Sequence, residues 1–549
     1  MADIWNAFGK ARLQELIGQD VLARLETLLP ALQSNVTPHD IYSRTGLSSI
    51  FDSFSCASQL EKPTFRKELF NALPPKQVSE LLKVIGGAGD ELTWDQKLVA
   101  LTKAWNRPDA AKQIAAMLGI PQEFLPQHAT LPPDNLLIEA VSKPYKPLKE
   151  FQMHVYAEAI RRLATPRARF VIQMPTGSGK TRTAMEVIAQ ILNEQPNGTV
   201  VVWLAHAEEL CEQAYDCFCE VWSHVGCRPL RLIRSWGAGS SLPFDFSESA
   251  FIIGGFAKLH GRLRKTPVNF SSLAPRVHLL IVDEAHKIIA PTYKEVTKAL
   301  IGPQTCVLGL TATPGRSVGN ELENEQLAQF FFREIVELDG GSDGVLQMLR
   351  AKGILSQTEY VPLRTGGSYQ LTPGEKQYFA QFFDLPASVL ARLADDDIRN
   401  VEIIRRLQTE CKRGAQIIFF GCSVDHSRFI CALLSFLGVK AVHLDGTTNR
   451  ARRQALIADF RASRVQVVCN YALLSTGFDA PKTDVVFVAR PTGSIVLYSQ
   501  MIGRGLRGPA IGGTERCRVI DVLDNIQGFS DSNRVYHYFD GYFSPTASN

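Results

Sequence analysis

The chain has 549 residues, of which 45% are hydrophobic and 21% are charged, close to the composition of an ordinary globular protein. Its 59 Lys and Arg residues against 55 Asp and Glu leave a net charge of +4, which is too mild to predict nucleic-acid binding by charge alone. These values exclude a largely disordered, collagen-like or coiled-coil protein, and the length predicts roughly three to four domains.

The sequence predicts no membrane association. No apolar run reaches the ~18 residues that a membrane-spanning helix needs. The amino terminus lacks the basic-then-apolar layout of a signal peptide. The 11 cysteines are scattered and odd in number, unlike those of a disulfide scaffold. We therefore expect a cytoplasmic protein without a membrane partner.

Residues 1–140 are predicted to form a helical region that carries no catalytic pattern. Apolar residues at helical spacing run from Leu13 to Leu25. Thr93 and Gln96 have the spacing of a capping box that opens a further helix. The sequence assigns no role to this region.

Three features resemble functional sites, but a structural explanation is favoured for each. Ala111–Leu118, followed by glycine, resembles half of a helix-turn-helix, but also an ordinary amphipathic helix that ends at Gly. Cys211, Cys217, Cys219 and Cys227 invite an iron–sulfur proposal, yet Cys217 and Cys219 lie two apart on one predicted helix, so their side chains diverge. The run Asp395–Asp397 is predicted to be a solvated helix start.

From Phe170 onward, short apolar strands alternate with helical stretches, which is typical of parallel sheets with crossover helices. The alternation stops across about 315–410 and then resumes. The simplest interpretation is an α/β protein with two sheets and a helical hinge between them. The predicted strands are Phe170–Met174, Val200–Leu204, Phe251–Ile253, His278–Val282 and Cys306–Leu310, then Gln416–Phe420, Lys440–Leu444, Val465–Cys469, Asp484–Ala489 and Arg518–Val522.

A Gly-rich turn follows the first of these strands and leads into a helix. Its glycines would let backbone N–H groups surround phosphate oxygens, and the helix start adds positive potential. Lys180 would contact the β- and γ-phosphates, and the Thr181 hydroxyl would ligate Mg²⁺. Met174 stands where the general P-loop pattern has its first Gly. The other predicted ATP-binding residues of the turn are Thr176, Gly177, Ser178 and Gly179.

Two carboxylates, Asp283 and Glu284, follow an apolar strand about 100 residues after the P-loop. The carboxyl ends of strands in an open α/β sheet are where ligands bind. Asp283 would hold Mg²⁺, directly or through water. Glu284 would act as the general base that activates the attacking water.

The P-loop turn and the segment Asp283-Glu284-Ala285-His286 together resemble motifs I and II of superfamily 2 helicases and translocases, in the DEAH-lettered branch. The resemblance covers about residues 145–525. It adds a candidate adenine-side residue, Gln152, and Thr311 and Thr313 in a motif III-like segment. Weaker matches to motifs Ia and Ib lie at Leu204–His206 and Gly254–Phe256, and Phe419–Ser423 resembles motif IV. A motif V-like run gives Thr476, Gly477 and Asp479 as coupling and nucleic-acid contact residues.

The run from Gln500 to Arg507 resembles motif VI. Arg504 and Arg507 lie three apart and so on neighbouring positions of one helical face. A guanidinium supplied from the second domain stabilises the charge on the γ-phosphate only when the domains are closed. Gln500, Arg504 and Arg507 therefore join Glu284 as predicted catalytic residues.

The resemblance implies two tandem RecA-like domains behind an α-helical extension. The implied division is a helical N-terminal domain of residues 1–140, a first RecA-like domain of 141–338, a helical hinge and start of the second half at 339–414, a second RecA-like domain of 415–530, and a C-terminal tail of 531–549. Within the superfamily, the second half most resembles the type III restriction subunits and the RadD-like bacterial repair helicases.

The resemblance implies an ATP- and Mg²⁺-dependent helicase or translocase that acts on nucleic acid, with DNA favoured over RNA. Such a motor would suit a bacterial defence, restriction or repair system. Two alternatives stay open: an RNA helicase, and a recruiting ATPase subunit that is active only with a partner such as a nuclease, bound through residues 1–140. The basic positions Lys412, Arg413, Arg450, Arg452, Arg453 and Arg461 would line the nucleic-acid groove or belong to solvated surface.

Overall fold

The computed structural model shows two β-sheets, each flanked by helices, and a helical region at the amino end. The predicted fold class, two tandem parallel-sheet domains behind a helical N-terminal region, is confirmed. In the part of the chain described, no helix is both long and apolar enough to cross a bilayer. The described residues are 2–32, 37–54, 59–86, 91–121, 124–125, 135–138, 145–237, 248–312, 321–338, 347–382, 384–448, 450–471 and 482–527.

The N-terminal region is helical as predicted. Its first predicted stripe is split in two at Gly18, whose φ of 97° ends one helix and starts the next. The capping box is confirmed, because the Thr93 N–H donates to Gln96 Oε1 at 2.9 Å. The helices are α1 (Ala2–Trp5), α2 (Lys10–Ile17), α3 (Gln19–Leu28), α4 (Pro38–Ile41), α5 (Arg44–Phe54), α6 (Pro63–Ala72), α7 (Pro75–Val84), α8 (Trp94–Ala104) and α9 (Pro108–Leu118).

The first sheet has eight strands in the order β1-β4-β5-β3-β6-β7-β2-β8. All neighbours run parallel except β1, which pairs antiparallel with β4. The strands are β1 (Asn135–Ile138), β2 (Arg169–Gln173), β3 (Val200–Ala205), β4 (Leu230–Ser235), β5 (Ala250–Gly255), β6 (Val277–Asp283), β7 (Cys306–Thr311) and β8 (Ile335–Val336). The helices are α10 (Glu150–Leu163), α11 (Lys180–Glu194), α12 (Glu208–Val225), α13 (Phe256–Lys265), α14 (Pro267–Leu273), α15 (Pro291–Leu300) and α16 (Glu321–Phe330).

Three strands of the first sheet were not predicted. β1 precedes the predicted start of the first domain at residue 141, in a proline-flanked segment with the composition of a linker. β4 was missed because Arg231 and Arg234 interrupt its apolar run. β8 has only two residues, too few to form a pattern.

The second sheet has six parallel strands in the order β11-β12-β10-β13-β14-β9. The strands are β9 (Gln357–Gln370), β10 (Ile417–Phe420), β11 (Ala441–Leu444), β12 (Val467–Asn470), β13 (Val485–Val488) and β14 (Arg516–Gln527). The helices are α17 (Pro373–Phe382), α18 (Ala387–Asp395), α19 (Asp397–Lys412), α20 (Val424–Phe436), α21 (Arg450–Arg461) and α22 (Ile495–Ile502).

One strand lies within the segment 339–414, for which the sequence predicts a helical hinge and the start of the second half. This strand, β9, is an edge strand of the second sheet and pairs with β14 along most of its length. An edge strand has one neighbour, and most residues of β9 stay partly or fully exposed. Because it is not buried on both faces, β9 lacks the apolar run by which the other strands were predicted.

The N-terminal region is packed on the second sheet domain. α5 contacts α20, and apolar residues of both form one continuous core. Arg24 donates to Asp397 at 2.7 Å, to Asp395 at 3.2 Å and to the Ala394 carbonyl at 2.6 Å. Its guanidinium also lies 4.4 Å from the centre of the Phe429 ring. The helical region is therefore an extension of the second domain.

The prediction of a solvated helix start at Asp395–Asp397 is confirmed. Asp396 is the N-cap of α19 and accepts from the Arg399 N–H at 2.9 Å. The side chains of Asp395 and Asp397 remain 76% and 39% exposed, and both also bind Arg24. Only the tertiary structure brings an arginine 370 residues away in sequence to this helix start.

A buried ion pair fixes α19 to the second sheet. Arg399 and Asp524 have fully buried side chains and form two hydrogen bonds, of 2.7 and 2.9 Å. Arg399 also donates to the Ala489 carbonyl, and Thr365 donates to Asp524 at 3.1 Å. All four residues belong to the second domain, so the pair contributes to its folding.

Replacing Arg399 with methionine is expected to destabilise the protein by about 3–5 kcal/mol, because Asp524 would stay buried without its partner. Urea denaturation followed by circular dichroism measures this. Arg464→Met is the matched control, since Arg464 pairs with Asp459 on the surface and should change stability by less than about 1 kcal/mol. A loss in Arg399→Met no larger than in the control would contradict the prediction.

Candidate functional site

The predicted site residues of the first half lie at one edge of the first sheet. β6, β7 and β2 are neighbours and parallel, so their carboxyl ends meet. The Met174 N–H, just after β2, donates to the Thr311 carbonyl at the end of β7 at 3.2 Å. The Gly-rich turn, the carboxylate pair and Thr311 are thereby brought together.

The Gly-rich turn is shaped to surround an anion. Gly177 and Gly179 have φ angles of 86° and 88°, a region that side chains with a Cβ rarely adopt. The Ser178 hydroxyl donates to the Pro175 carbonyl at 2.7 Å and fixes the turn. α11 begins at Lys180, so the first N–H groups of the helix face the turn. This arrangement is suited to phosphate.

Gln152 supports the turn from α10. Its Nε2 donates to the Ser178 carbonyl at 3.0 Å, and its Oε1 accepts from the Lys149 N–H at 2.9 Å. A Cβ at position 179 would lie 2.3 Å from Gln152 Nε2, so the contact needs the glycine. Gln152 thus positions the phosphate-binding turn, and its role in recognising adenine stays a prediction.

The two carboxylates are held close together at the end of β6. The Glu284 N–H donates to Asp283 Oδ1 at 3.0 Å. Glu284 has a φ of 52°, a left-handed backbone conformation that is rare for residues other than Gly and common at functional sites. Burial would raise the pKa of Glu284, but Lys180 and His286 outweigh it and lower this pKa. Glu284 is therefore an ionised carboxylate, as a general base must be.

Asp283 fits the role of a metal-binding residue. Burial, followed by the negative charge of Glu284, raises the pKa of Asp283 above its ordinary value, although Lys180 opposes this. Two adjacent buried carboxylates are a place where a divalent cation lowers the electrostatic cost. Oxygen ligands are also those that Mg²⁺ prefers. Asp283 and Thr181 would hold Mg²⁺, which would neutralise charge on the phosphates.

Two histidines border the carboxylates. His286 Nδ1 lies 3.4 Å from the Thr311 hydroxyl and 3.5 Å from the Glu284 carboxylate, which links motif II to motif III. Burial, with the nearby Lys287 charge, lowers the pKa of His206 to about 4. His206 is therefore neutral at physiological pH.

The second domain reaches the turn through the predicted motif VI. A Cβ at Gly503 would lie 2.3 Å from Thr176 Cγ2, so only glycine permits this approach of the two domains. A Cβ at Gly177 would lie 3.7 Å from Arg507 Cγ. Burial lowers the pKa of Arg507 to about 10, which leaves it protonated at neutral pH.

Arg504 of the same motif lies within electrostatic range of the Glu284 carboxylate in the first domain. Burial lowers the pKa of Arg504 to about 10, and the negative charge of Glu284 opposes this shift. Its Nε donates to the Gln500 carbonyl at 3.2 Å. Gln500 is itself buried, and its Nε2 has no hydrogen-bond partner among the described residues. Arg507 thus lies beside the P-loop turn, and Arg504 lies within electrostatic range of Glu284.

The residues that hold motif VI in place were not found from the sequence. The Ser356 hydroxyl donates to the Arg507 carbonyl at 2.6 Å, and its N–H donates to the Leu506 carbonyl at 2.9 Å. The neighbouring Leu355 is buried in the core of the first domain. The segment therefore connects the first domain to the arginines, and nothing local in sequence signals it.

Four predicted contact residues lie outside the described residues: Thr313, Thr476, Gly477 and Asp479. The structure therefore leaves their roles as predictions. Among the cysteines considered for a cluster, Cys217 and Cys219 lie on α12, Cys211 is buried and Cys227 is exposed.

Two family models match the chain in the two halves that form this cleft. The model described as the type III restriction enzyme res subunit matches residues 145–316. The model described as the helicase conserved C-terminal domain matches residues 399–508. The chain belongs to the superfamily 2 helicases and translocases. The first match covers most of the first sheet domain, and the second covers most of the second.

Relatives of known name agree with this assignment. The mitochondrial ATP-dependent helicase irc3 of Schizosaccharomyces pombe is 27% identical over 387 residues, which span 70% of this chain and 58% of the relative. A 51.5 kDa protein of Lactococcus phage isolate 7-9 is 26% identical over 387 residues, spanning 68% of this chain and 70% of the relative. The chain thus covers less than two thirds of the fission yeast helicase.

A solved structure supports the fold alone. The HsdR subunit of a type I restriction enzyme from Vibrio vulnificus YJ016 superposes with a TM-score of 0.50 at 17% identity. The match covers 80% of this chain and 72% of the HsdR fragment.

Proposed function

We propose that this superfamily 2 protein couples ATP hydrolysis to movement along DNA or opening of DNA strands. The observation that carries the proposal is the approach of motif VI to the P-loop turn across the cleft, where Gly503 packs against Thr176 and Arg507 against Gly177. Charge from the second domain completes the site only when the two domains are together. Hydrolysis is thereby tied to a change in the distance between the two domains.

In the proposed reaction, Lys180 and the backbone of the P-loop turn bind the β- and γ-phosphates. Glu284 accepts a proton from the attacking water, and Arg504 and Arg507 stabilise the charge that develops on the transferred phosphoryl group. Asp283 and Thr181 would hold Mg²⁺, which would supply further charge neutralisation. Loss of the γ-phosphate removes the group that attracts both arginines, and the domains separate.

DNA is the favoured track. The match to a type III restriction subunit supports this choice, since restriction enzymes act on DNA. The literal sequence Asp283-Glu284-Ala285-His286 supports placement in the DEAH-lettered branch. A role as the motor of a defence, restriction or repair system follows from the same resemblance. Thr311 and the residues of motif V would contact the sugar–phosphate backbone, which positions a strand without reading its sequence.

Steady-state ATP hydrolysis by the purified chain tests the proposed function. We expect hydrolysis to rise with single-stranded or duplex DNA more than with RNA, and the stimulation to weaken as salt increases. Each backbone phosphate neutralised on a single strand contributes about 0.7 to the slope of log affinity against log salt. Lys180→Ala serves as the inactive control. Stronger stimulation by RNA than by DNA would identify RNA as the track. No stimulation by any nucleic acid would contradict the proposed motor function.

We propose that a protein partner, such as a nuclease or another defence-system subunit, binds the N-terminal region. The inner side of this region is packed on the second domain, while Val84, Trp94 and Met117 are exposed on α7, α8 and α9. A pulldown with wild type and with Trp94→Ser/Met117→Ser tests this idea. A stoichiometric partner that is lost in the variant supports it, and a partner retained equally by both contradicts it.

A further inference from the structure

A second contact joins the two motor domains, on the side of β3 rather than β2. Arg453, near the start of α21, donates to Glu209 Oε1 at 2.6 Å. Glu209 lies in the first turn of α12, directly after β3. The two residues belong to different sheet domains, so this ion pair crosses the cleft. The side chains retain 18% and 27% of their exposure, which leaves the pair only partly accessible to water.

Arg453 is fixed from behind by its own domain. Its Nη2 donates to the Thr448 carbonyl at 3.2 Å. The loop that carries Thr448 is organised by the buried carboxylate of Asp445, which accepts from the Thr447 N–H at 2.8 Å and its hydroxyl at 2.6 Å. Arg428 of α20 pairs with the same carboxylate. The guanidinium therefore reaches the first domain from a rigid support.

The N-terminal region contacts α21 through Arg452, the residue next to Arg453. The guanidinium of Arg452 lies 4.3 Å from the centre of the Phe124 ring, within the range of a cation–π contact. Phe124 is buried and belongs to the core that the N-terminal region shares with the second domain. α21 is thus held between the N-terminal region and the first domain.

Two separated contacts are needed to orient one rigid domain on another. The approach of Gly503 to Thr176 fixes one point of closure, at the P-loop. A single point leaves the second domain able to rotate about it in any direction. The ion pair between Arg453 and Glu209 is a second, separate point, so it restricts the rotations that would move the arginines relative to the phosphates.

We propose that Arg453 and Glu209 are positioning residues that set the closed arrangement of the motor, and that the N-terminal region steadies α21 for this contact through Phe124. This inference rests on the proposed ATPase activity. It assigns the N-terminal region a role in the catalytic cycle in addition to partner binding. Neither residue touches the nucleotide site, so their effect on hydrolysis is indirect.

Exchanging the charges of Arg453 and Glu209 tests the positioning role of this ion pair. We expect Arg453→Glu to lower the DNA-stimulated kcat about five- to tenfold, as expected for losing a partly buried ion pair and introducing repulsion, with ATP binding to the P-loop unchanged. Adding Glu209→Arg should restore most of the kcat, because the attraction is re-formed with its sign reversed. Arg464→Glu is the matched control, since Arg464 lies just after α21 and pairs within its own domain.

Small-angle X-ray scattering separates this inference from the proposed function. With a non-hydrolysable ATP analogue, Mg²⁺ and DNA, the radius of gyration should be larger for Arg453→Glu than for wild type, and the charge exchange should reverse the difference. This measurement does not depend on turnover. An unchanged radius in Arg453→Glu, or no rescue by the exchange, would overturn the positioning role even if hydrolysis proceeds as proposed.

A separate variant tests the contribution of the N-terminal region to the position of α21. Phe124→Leu keeps an apolar side chain in the core but removes the ring face that contacts Arg452, so the fold should be retained. We expect a smaller decrease in kcat, about twofold, and no further decrease when it is combined with Arg453→Glu. If the two single substitutions lowered kcat independently, so that their factors multiplied in the double variant, Phe124 would not act through α21.

Discussion

Glu284→Gln is expected to hydrolyse ATP about 10²- to 10⁴-fold more slowly than wild type while it still binds ATP, because an amide cannot accept the proton of the attacking water. The geometry of the site supports the expectation that ATP binding is retained. Glu284 is nearly isosteric with Gln, and the backbone N–H that contacts Asp283 is kept. Binding of a fluorescent ATP analogue and single-turnover hydrolysis measure the two properties separately.

Lys180→Ala provides the contrast. Removal of its ammonium group takes away the cation that contacts the β- and γ-phosphates, so both binding and hydrolysis should be lost. Loss of Lys180 should also raise the pKa of Glu284, since Lys180 is the strongest of the charges that lower it. If Glu284→Gln retained near-normal hydrolysis, another group would have to act as the base and the assignment of Glu284 would be wrong.

Arg507→Ala and Arg504→Ala are each expected to lower kcat by about 10³-fold, the range observed when an arginine that contacts a transferring phosphoryl group is lost. Binding of ATP should change little, since the P-loop and Lys180 belong to the first domain. Both arginines remain protonated at neutral pH, as the pKa of each is about 10. A pH dependence from these groups is therefore expected only in alkaline solution.

The two arginines should differ in one respect. Arg504 is close enough to Glu284 for their charges to interact. Loss of this positive charge should raise the pKa of Glu284, so the acid limb of the pH–rate profile should move to higher pH. Arg507 lies at the turn, so its loss should lower the rate without that change. Arg364→Ala, which removes an exposed arginine from β9 of the same domain, is the control. Near-normal kcat in both motif VI variants would contradict the assignment of these arginines.

The N-terminal region changes how the motor is understood. It lies outside both family matches, yet it shares a core with the second domain and contacts α21. Truncation would expose that core, so a fragment that begins at the first motor domain is not expected to report the activity of the whole chain.

Local features allowed much of the site to be predicted. A run such as Leu279–Val282 is buried on both faces and followed by carboxylates, so its composition indicates both the strand and the chemistry at its end. The P-loop requires glycines and a lysine at fixed spacing, because backbone groups must wrap a phosphate. The same reasoning failed for β9, a half-exposed edge strand, and for β4, whose arginines interrupt its apolar run.

What the sequence determined by itself is therefore the set of groups predicted to bind and hydrolyse the nucleotide, since each belongs to a short motif whose members lie within a few residues of one another. The tertiary structure decided how these groups meet. The contacts of Arg24 with Asp397, of Arg453 with Glu209 and of Ser356 with Arg507 join residues from about 150 to more than 370 positions apart. Such pairs leave no periodic signal, because only chain folding determines which surface charges and backbone carbonyls become neighbours.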